Sequence, residues 1–519
     1  MNLLSVAREE PLNHVRLLIQ GTAGSGKTFT ILALTYLARR IRNRNNAVMN
    51  LAPTGAASIL LPNGRTVHST TSIPRNLKKN SKTLQLNDKP LNNKSLVKLR
   101  EFTGSLLKND SVNLTTLNLD ERGMFSPEML AWCSHRFKEA TTDFINSFGA
   151  IPTVNFFGDL GQLGPVQSKD LHVEPLSTDS PVKLAGFGIY RSFSDCIVFD
   201  HTMRQGPDEI DFLKMLLRVR SGEITQSDWK VINSRCESEL SEDEKKDFQS
   251  DTCLTVMETW NEVNLENHKK LEKLGVPVAT VPSKGKGRHH SQIDKQVGQI
   301  PSTAYIAVGS RVMLTKNQFS LTPLGLNNGA IGKVISILYP PNCGPPTFPD
   351  AVVVDFPNYK GPHWTHEHPT WVPIPVNESR CEKNCCVRIG FPLIPAYSIP
   401  ISKSQGITVG PNQPCTHLRI KLNGETFMEK LNLGITYTAL SRACKLSYIA
   451  LVEKIPFDRL AYINNHPWMA KRKAEEERLK TVSGMTLQKY GKYSDINEYK
   501  LLLREFDNFV NDGIKCHEE

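Results

Sequence analysis

Along the chain, short apolar runs alternate with stretches whose apolar residues fall at helical spacing, and this cadence predicts a parallel α/β sheet. Val15 to Gln20 (VRLLIQ) is an apolar run that ends at a glycine-rich loop, and Ile31, Leu34, Leu37 and Ala38 follow at the spacing of one helix face. Ala47–Leu51, Leu114–Leu119, Thr153–Phe157 and Cys196–Phe199 read as further buried strands. Between His68 and Leu114 the pattern breaks. Residues 75–108 carry nine Lys/Arg against only Asp88 and Glu101, which reads as a basic insertion. After about residue 300 the texture changes again: VGSRVMLTKN, LNNGAIGKVISI and AVVVDF are short strand-like runs joined by Asn-Gly and Pro-rich turns, as in a small β-barrel. Helical signal resumes near Leu433, and from Trp468 through KRKAEEERLK the chain reads as a helical tail with a solvated, doubly charged face. No repeat with a period of 20 to 50 residues is present, which excludes a solenoid.

Composition narrows the class. At 519 residues several cores can form. No stretch approaches the roughly 20 apolar residues that a membrane-spanning helix needs, so a membrane partner is not expected. The start, MNLLSVAREEPLNHV, has no basic leader before an apolar core, and no secretory signal is expected. Eleven cysteines, an odd number scattered over a long chain, fit a reducing compartment better than a disulfide framework. The expected location is intracellular, nuclear or mitochondrial in a eukaryote. With 63 Lys+Arg against 52 Asp+Glu the net charge is +11, which suits a polyanionic partner without naming one.

The motifs name it. Gly21-Thr22-Ala23-Gly24-Ser25-Gly26-Lys27-Thr28 fits G-x-x-x-x-G-K-[ST], between a predicted strand and a predicted helix as that phosphate-binding loop requires. Backbone N–H groups and the helix N-terminus would close around the β-phosphate of ATP, with Lys27 on the β/γ oxygens and the Thr28 hydroxyl on magnesium. Asp120-Glu121, after the strand-like LTTLNL, supplies the acidic strand end: Asp120 for the metal, Glu121 to orient or deprotonate the attacking water. An Asp-Glu pair alone is more often a solvated turn, and the preceding buried strand is what favours catalysis. Gln162, in FGDLGQL, stands at another strand tip and could sense the γ-phosphate. Arg204 in HTMRQ and Arg442 in TALSRA are placed near second-lobe elements, from which each could reach the transferring phosphate. From spacing alone each is more often a surface or ion-paired arginine.

The ordered series GTAGSGKT, APTGAAS with TVHS, LDE, FGDLGQLGPV, RQ, ISKSQGIT and YTALSRA resembles the motifs of superfamily 1 helicases, B branch, of the petite-integration-frequency (PIF) and RecD-like type, over roughly residues 15 to 460. The resemblance implies two RecA-like parallel-sheet lobes with ATP and magnesium between them. It implies a first lobe over residues 1–72 and 109–195 with a basic wedge insertion at 73–108, and a second lobe over 196–300 and 393–465. A small SH3-like β-barrel would occupy 301–392, and the charged helical tail 466–519. Under it Gln162, Arg204 and Arg442 become γ-phosphate contacts, and Gln405 and Gly406 join the nucleotide site. Thr54, His68, Ser69, Lys403 and Ser404 would line a single-strand channel, where hydroxyls and N–H groups meet phosphates without reading bases. The implied activity is ATP-driven translocation on single-stranded DNA, 5′ to 3′, with unwinding at duplex junctions, by a monomer or weakly self-associating protein. Roles in DNA repair, recombination and telomere maintenance go with the family.

The chain departs from the family at four places. No counterpart of the adenine-recognising glutamine stands in the 20 residues before the loop, Ser402 replaces a histidine, Gly164 replaces a proline, and Arg122-Gly123 replaces Ile-Ser. None of these removes a charged catalytic group. A competing class is an ATP-gated DNA clamp or translocase with weak or no unwinding; the intact set Lys27, Asp120, Glu121, Gln162, Arg204 and Arg442 speaks against it. A P-loop kinase or GTPase would leave KSQG and TALSR unexplained. Cys381, Cys385 and Cys386 lie near His363, His366 and His368, yet their spacing matches no C-x-x-C pair, so no zinc site is expected.

Overall fold

The computed structural model describes residues 14–73, 85–104, 113–165, 168–286, 299–318, 324–380, 386–423, 427–491 and 497–515. The first lobe is built on six strands: β1 (Val15–Gly21), β2 (Val48–Ala52), β3 (Arg65–Thr66), β4 (Thr116–Leu119), β5 (Thr153–Gly158) and β6 (Asp195–Phe199). They lie in the order β3-β2-β4-β5-β1-β6 and every pairing is parallel. The predicted strands match to within two residues because each is apolar on both faces, as a sheet covered by helices demands. Leu18, Leu51, Leu117, Leu119, Val154 and Phe156 are fully or almost fully buried in its core. One feature breaks the apolar rule. Asn155 donates to Asn118 at 2.8 Å and Asn118 to Asn50 at 2.8 Å, a buried amide ladder across β5, β4 and β2.

β6 belongs to this sheet, beside β1, so the lobe boundary expected at residue 196 is too early. Continuous apolar character cannot say which sheet a strand joins. Within the expected insertion, the helix Asn93–Thr103 buries Leu99 and Thr103 against the first lobe, with Leu86, Leu91 and Phe102 packed alongside. Arg100 donates to the Ala140 carbonyl at 3.3 Å, and the Arg65 guanidinium lies 4.2 Å from the Phe102 ring centre. Arg75, Lys78, Lys79, Lys82 and Lys108 lie outside the described residues.

The second lobe opens with β7 (Cys253–Met257), and the chain then leaves it for an antiparallel region. There β8 (Ala279–Pro282), β9 (Lys284–Lys286), β10 (Thr303–Ile306), β11 (Arg311–Leu314), β12 (Ile331–Leu338), β13 (Ala351–Asp355), β14 (Trp371–Pro375), β15 (Asn377–Arg380), β16 (Val387–Gly390) and β17 (Leu393–Pro395) follow. Its main sheet runs β14-β13-β12-β11-β17 over a core of Val312, Leu314, Val352, Val354 and Leu393. Among the described residues β14 and β17 form its two edges, an open sheet where the sequence suggested a small barrel. The chain returns with β18 (Ser398–Pro400), β19 (His417–Lys421) and β20 (Ile449–Leu451), giving a parallel sheet β18-β7-β19-β20.

The tail is not the freely solvated helix its charge pattern predicts. The helix Met469–Gly491 buries Met469, Arg472, Glu475, Leu479, Ser483 and Thr486, and runs along β6 of the first lobe. Thr486 Oγ1 accepts from the Cys196 N–H at 3.0 Å and Ser483 Oγ from the Val198 N–H at 3.1 Å, so the helix satisfies edge-strand donors. A second helix, Asn497–Lys515, sets Phe506 against Phe29 and Tyr36 on the helix that follows the phosphate loop.

Candidate nucleotide site

The loops after β4, β5, β1 and β6 come from four adjacent strands and open on one edge of the sheet, at its carboxyl ends, where open α/β folds take ligands. The phosphate loop follows β1. Gly24 (φ 79°) and Gly26 (φ 86°) hold left-handed conformations that turn the chain into the helix Lys27–Arg42. Lys27 Nζ donates to the carbonyls of Gly21 and Thr22, both at 2.8 Å. Burial lowers the Lys27 ammonium below its ordinary value, against the pull of Asp159, Glu121 and Asp120. Ser25 Oγ is buried without a hydrogen-bond partner, an orphaned hydroxyl inside a cradle of backbone N–H groups, and this is what a phosphate loop offers an anion. Thr22 Oγ1 lies 3.2 Å from Thr202 Oγ1, and Thr28 is exposed at the helix start.

Asp120 and Glu121 follow β4. Asp120 Oδ1 accepts from the Glu121 N–H at 2.8 Å. Glu121 sits in a left-handed backbone conformation (φ 55°, ψ 53°), a strain of order 1–3 kcal/mol that functional sites tend to keep. Burial first, then the Asp120 carboxylate, pushes Glu121 up to about 7, while Lys27 and Arg442 pull it down. Burial also raises Asp120. The carboxylate of Asp120 and the hydroxyl of Thr28 are hard oxygen donors that fit magnesium. Among the described residues there is no cluster of three or more His, Cys, Asp or Glu able to hold a metal on its own; Cys381 and Cys385 lie outside them.

Gln162, nearly buried, follows β5, and Gln405 Nε2 donates to its Oε1 at 3.3 Å from the second lobe. Gly406 (φ 85°) is packed against the Leu60 side chain. Arg204 stands on the loop after β6, in the first lobe rather than the second: Met203 N–H donates to the Gly24 carbonyl at 2.8 Å, and a side chain on Gly24 would strike Arg204. From there Arg204 reaches across to the Ser441 carbonyl at 2.7 Å, and Gln205 to that of Ala443 at 3.0 Å. Arg442 is buried in the second lobe and donates from Nε to the Thr438 carbonyl at 2.9 Å. Burial, then the neighbouring Arg442, lowers Arg204 to about 9. Lys27, Arg204 and Arg442 thus crowd three cations at one lobe junction, an arrangement that calls for a polyanion between them.

The expected strand-channel residues divide. Thr54 caps the helix Gly55–Ile59 by accepting from the Ala57 N–H at 3.2 Å. His68 is half-buried and Ser69 exposed on the helix Val67–Thr71. Lys403 donates to Asn328 Oδ1 at 3.2 Å, and burial lowers its ammonium. Ser404 is a correction: it is fully buried and gives its hydroxyl to the Ile401 carbonyl at 2.7 Å, so its side chain faces the lobe interior. Three residues at the junction carry no assignment from the sequence: Asp159, Arg220 and Tyr437. Asp159 lies inside the quoted FGDLGQL, and a carboxylate directly after a buried strand was the available signal.

A family model of the PIF1-like helicases matches residues 9–230. No curated relative matches the sequence. Among solved structures the chain is similar to the Pif1 helicase of Candida albicans, at 20% identity and a TM-score of 0.66, over 92% of this chain and 97% of that one. It is similar to a Bacteroides Pif1 helicase in complex with ADP-AlF3 and single-stranded DNA, at 19% identity and 0.59, over 88% and 93%. It is also similar to a Pif1 helicase studied as two coordinating copies unwinding forked duplex DNA, at 20% identity and 0.63, over 92% and 97%. Residues 9–230 thus match the PIF1-like helicase model, and over nearly its whole length the chain shares its fold with Pif1 helicases.

Proposed function

We propose that this protein hydrolyses ATP at the junction of its two lobes, moves along single-stranded DNA in the 5′ to 3′ direction, and parts duplex DNA at junctions. The observation that carries this reading is the convergence of Lys27, Asp120, Glu121, Gln162 and Arg204 from the first lobe with Arg442 from across the lobe interface. In the reaction the phosphate-loop N–H groups and Lys27 hold the β- and γ-phosphates. Glu121 accepts a proton from the attacking water, and Arg204 and Arg442 meet charge that develops on the transferring phosphoryl group. Magnesium, held by Thr28 and Asp120, would neutralise phosphate charge when bound. Arg204 donates from Nη1 to the Ser441 carbonyl and Arg442 from Nε to that of Thr438, and a guanidinium has further N–H groups with which to meet phosphate oxygens.

The Bacteroides relative binds ADP-AlF3 and single-stranded DNA together, which supports a nucleotide-driven motor on one strand. The coordinating pair supports action at forks, by single or loosely paired copies. The test is ATP hydrolysis with and without single-stranded DNA, followed by strand displacement on 5′- and 3′-tailed duplexes. Stimulated hydrolysis with displacement only from the 5′-tailed substrate is expected. Stimulated hydrolysis without displacement from either would leave a translocase, and DNA binding without hydrolysis an ATP-gated clamp.

A further inference from the structure

Asp159, placed directly after β5, is the buried hub of the lobe junction. Its Oδ1 accepts from Arg220 Nε at 3.0 Å and Nη2 at 2.7 Å, and from the Gly161 N–H at 2.9 Å. Its Oδ2 accepts from the hydroxyl of Tyr437 at 3.2 Å. Tyr437 belongs to the helix Ile435–Leu440 of the second lobe, about one turn before Arg442, and is itself buried. The same phenol oxygen accepts from the backbone N–H of Ala23, inside the phosphate loop, at 3.1 Å. Gly434 (φ 97°) starts that helix so close to the Gly161 carbonyl that no side chain fits, which lets the two lobes approach at this point.

A phenol has one proton to give and lone pairs to receive with, so the chain Ala23 N–H to Tyr437 O–H to Asp159 carboxylate has a single direction and no spare partner. It ties the loop that takes the phosphates to the short helix whose C-terminal end leads directly into Arg442. Arg220 extends the tie to Glu476 on the C-terminal helix. We infer that Tyr437 is a positioning residue: it couples the geometry of the phosphate loop in the first lobe to the placement of Arg442 from the second. This rests on the hydrolytic reading above. Nucleotide entering the loop shifts Ala23, the phenol follows or lets go, and the segment just after the helix, with Arg442, is released from or locked into its reach toward the γ-phosphate.

The test is Tyr437→Phe in the full chain, which keeps the ring and its packing and removes only the hydroxyl. With single-stranded DNA present, kcat for ATP is expected to fall about tenfold or more while KM stays within about twofold and the melting temperature is nearly unchanged. A well-folded Tyr437→Phe whose kcat stays within about twofold of the parent overturns the inference. So does a variant whose melting temperature drops while its rate per folded molecule is retained, since Tyr437 is then a packing residue. Lys27→Ala measured alongside separates the two claims. If hydrolysis survives Lys27→Ala, the hydrolytic reading falls and this inference with it. If Lys27→Ala is inactive and Tyr437→Phe keeps full activity, only the inference falls.

Discussion

Glu121 combines a left-handed backbone with a carboxyl that burial and Asp120 raise to about 7, a value that suits the general-base role proposed for it. Because its folded-state value lies above its unfolded one, the protonated form is favoured by folding. The stability it contributes is therefore complete below about pH 4.5 and is lost as the pH rises through about 7. Catalysis runs the other way, since only the carboxylate accepts a proton. The profile of kcat/KM for ATP is expected to climb through about pH 7 and level off above it, with that apparent value belonging to the coupled Asp120–Glu121 pair. Glu121→Gln should remove the rise along with most of the rate; a flat profile in the parent would deny Glu121 the role of base. Arg204 and Arg442 are tested by alanine. Each change is expected to lower hydrolysis by on the order of 10³ with much less effect on ATP affinity, because the guanidinium meets charge that exists mainly in the transition state. A lower melting temperature at an unchanged rate per folded molecule would make them structural. Arg204 shows how far a residue can be read in advance: HTMRQ marked it as a phosphate contact, but its lobe depended on which sheet β6 joins, and that is decided by tertiary pairing.

At the scale of elements, the basic segment and the C-terminal helix were both read from charge, and both prove to be anchored by apolar residues spaced among the charges. A wedge that only parts strands could be replaced over residues 76–104 by a Gly/Ser linker without loss of hydrolysis. Leu99 and Phe102 now show that its helix is also part of the first lobe's core, so wholesale replacement mixes two effects. The sharper variant replaces the exposed Lys89, Lys94 and Lys98 with Gln. If this face holds phosphates at the junction, strand displacement falls while DNA-stimulated hydrolysis is kept, and equal displacement by variant and parent would place the parting of strands elsewhere. In the helix Met469–Gly491, Ser483→Ala and Thr486→Ala each strip the acceptor from an edge-strand N–H, that of Val198 partly buried and that of Cys196 buried. Each is expected to lower unfolding free energy by about 1–3 kcal/mol, read by denaturant titration. No loss in either would mean that water replaces the hydroxyl. The amide ladder of Asn50, Asn118 and Asn155 escaped the sequence reading for a related reason: an asparagine inside an apolar run looks like an interruption until its neighbours on adjacent strands are known.

At the scale of the whole molecule, the net charge of +11 suits binding to single-stranded DNA that is electrostatic and indifferent to base. The affinity for single-stranded DNA is expected to fall linearly on a log–log plot against salt, with homopolymers ranked closely at any one salt concentration. Strong base discrimination would contradict it. The first sheet and the phosphate loop were legible in the sequence because each rests on local pattern: apolar runs, a glycine loop, an acidic pair after a strand. What stayed hidden is what only long-range contact creates, namely the Asp159–Tyr437 tie, the interior-facing Ser404 and the docking of the tail. That docking reaches beyond stability. The first sheet has two rims: one is β3, only two residues long, and the other is β6, whose outward amides are already claimed by the hydroxyls of Ser483 and Thr486. Where crowded copies of this protein meet at these rims, neither rim, among the described residues, gives a neighbour a free row of amides to zip onto. Copies pressed together at high local concentration can thus touch and part again without fusing into a shared sheet.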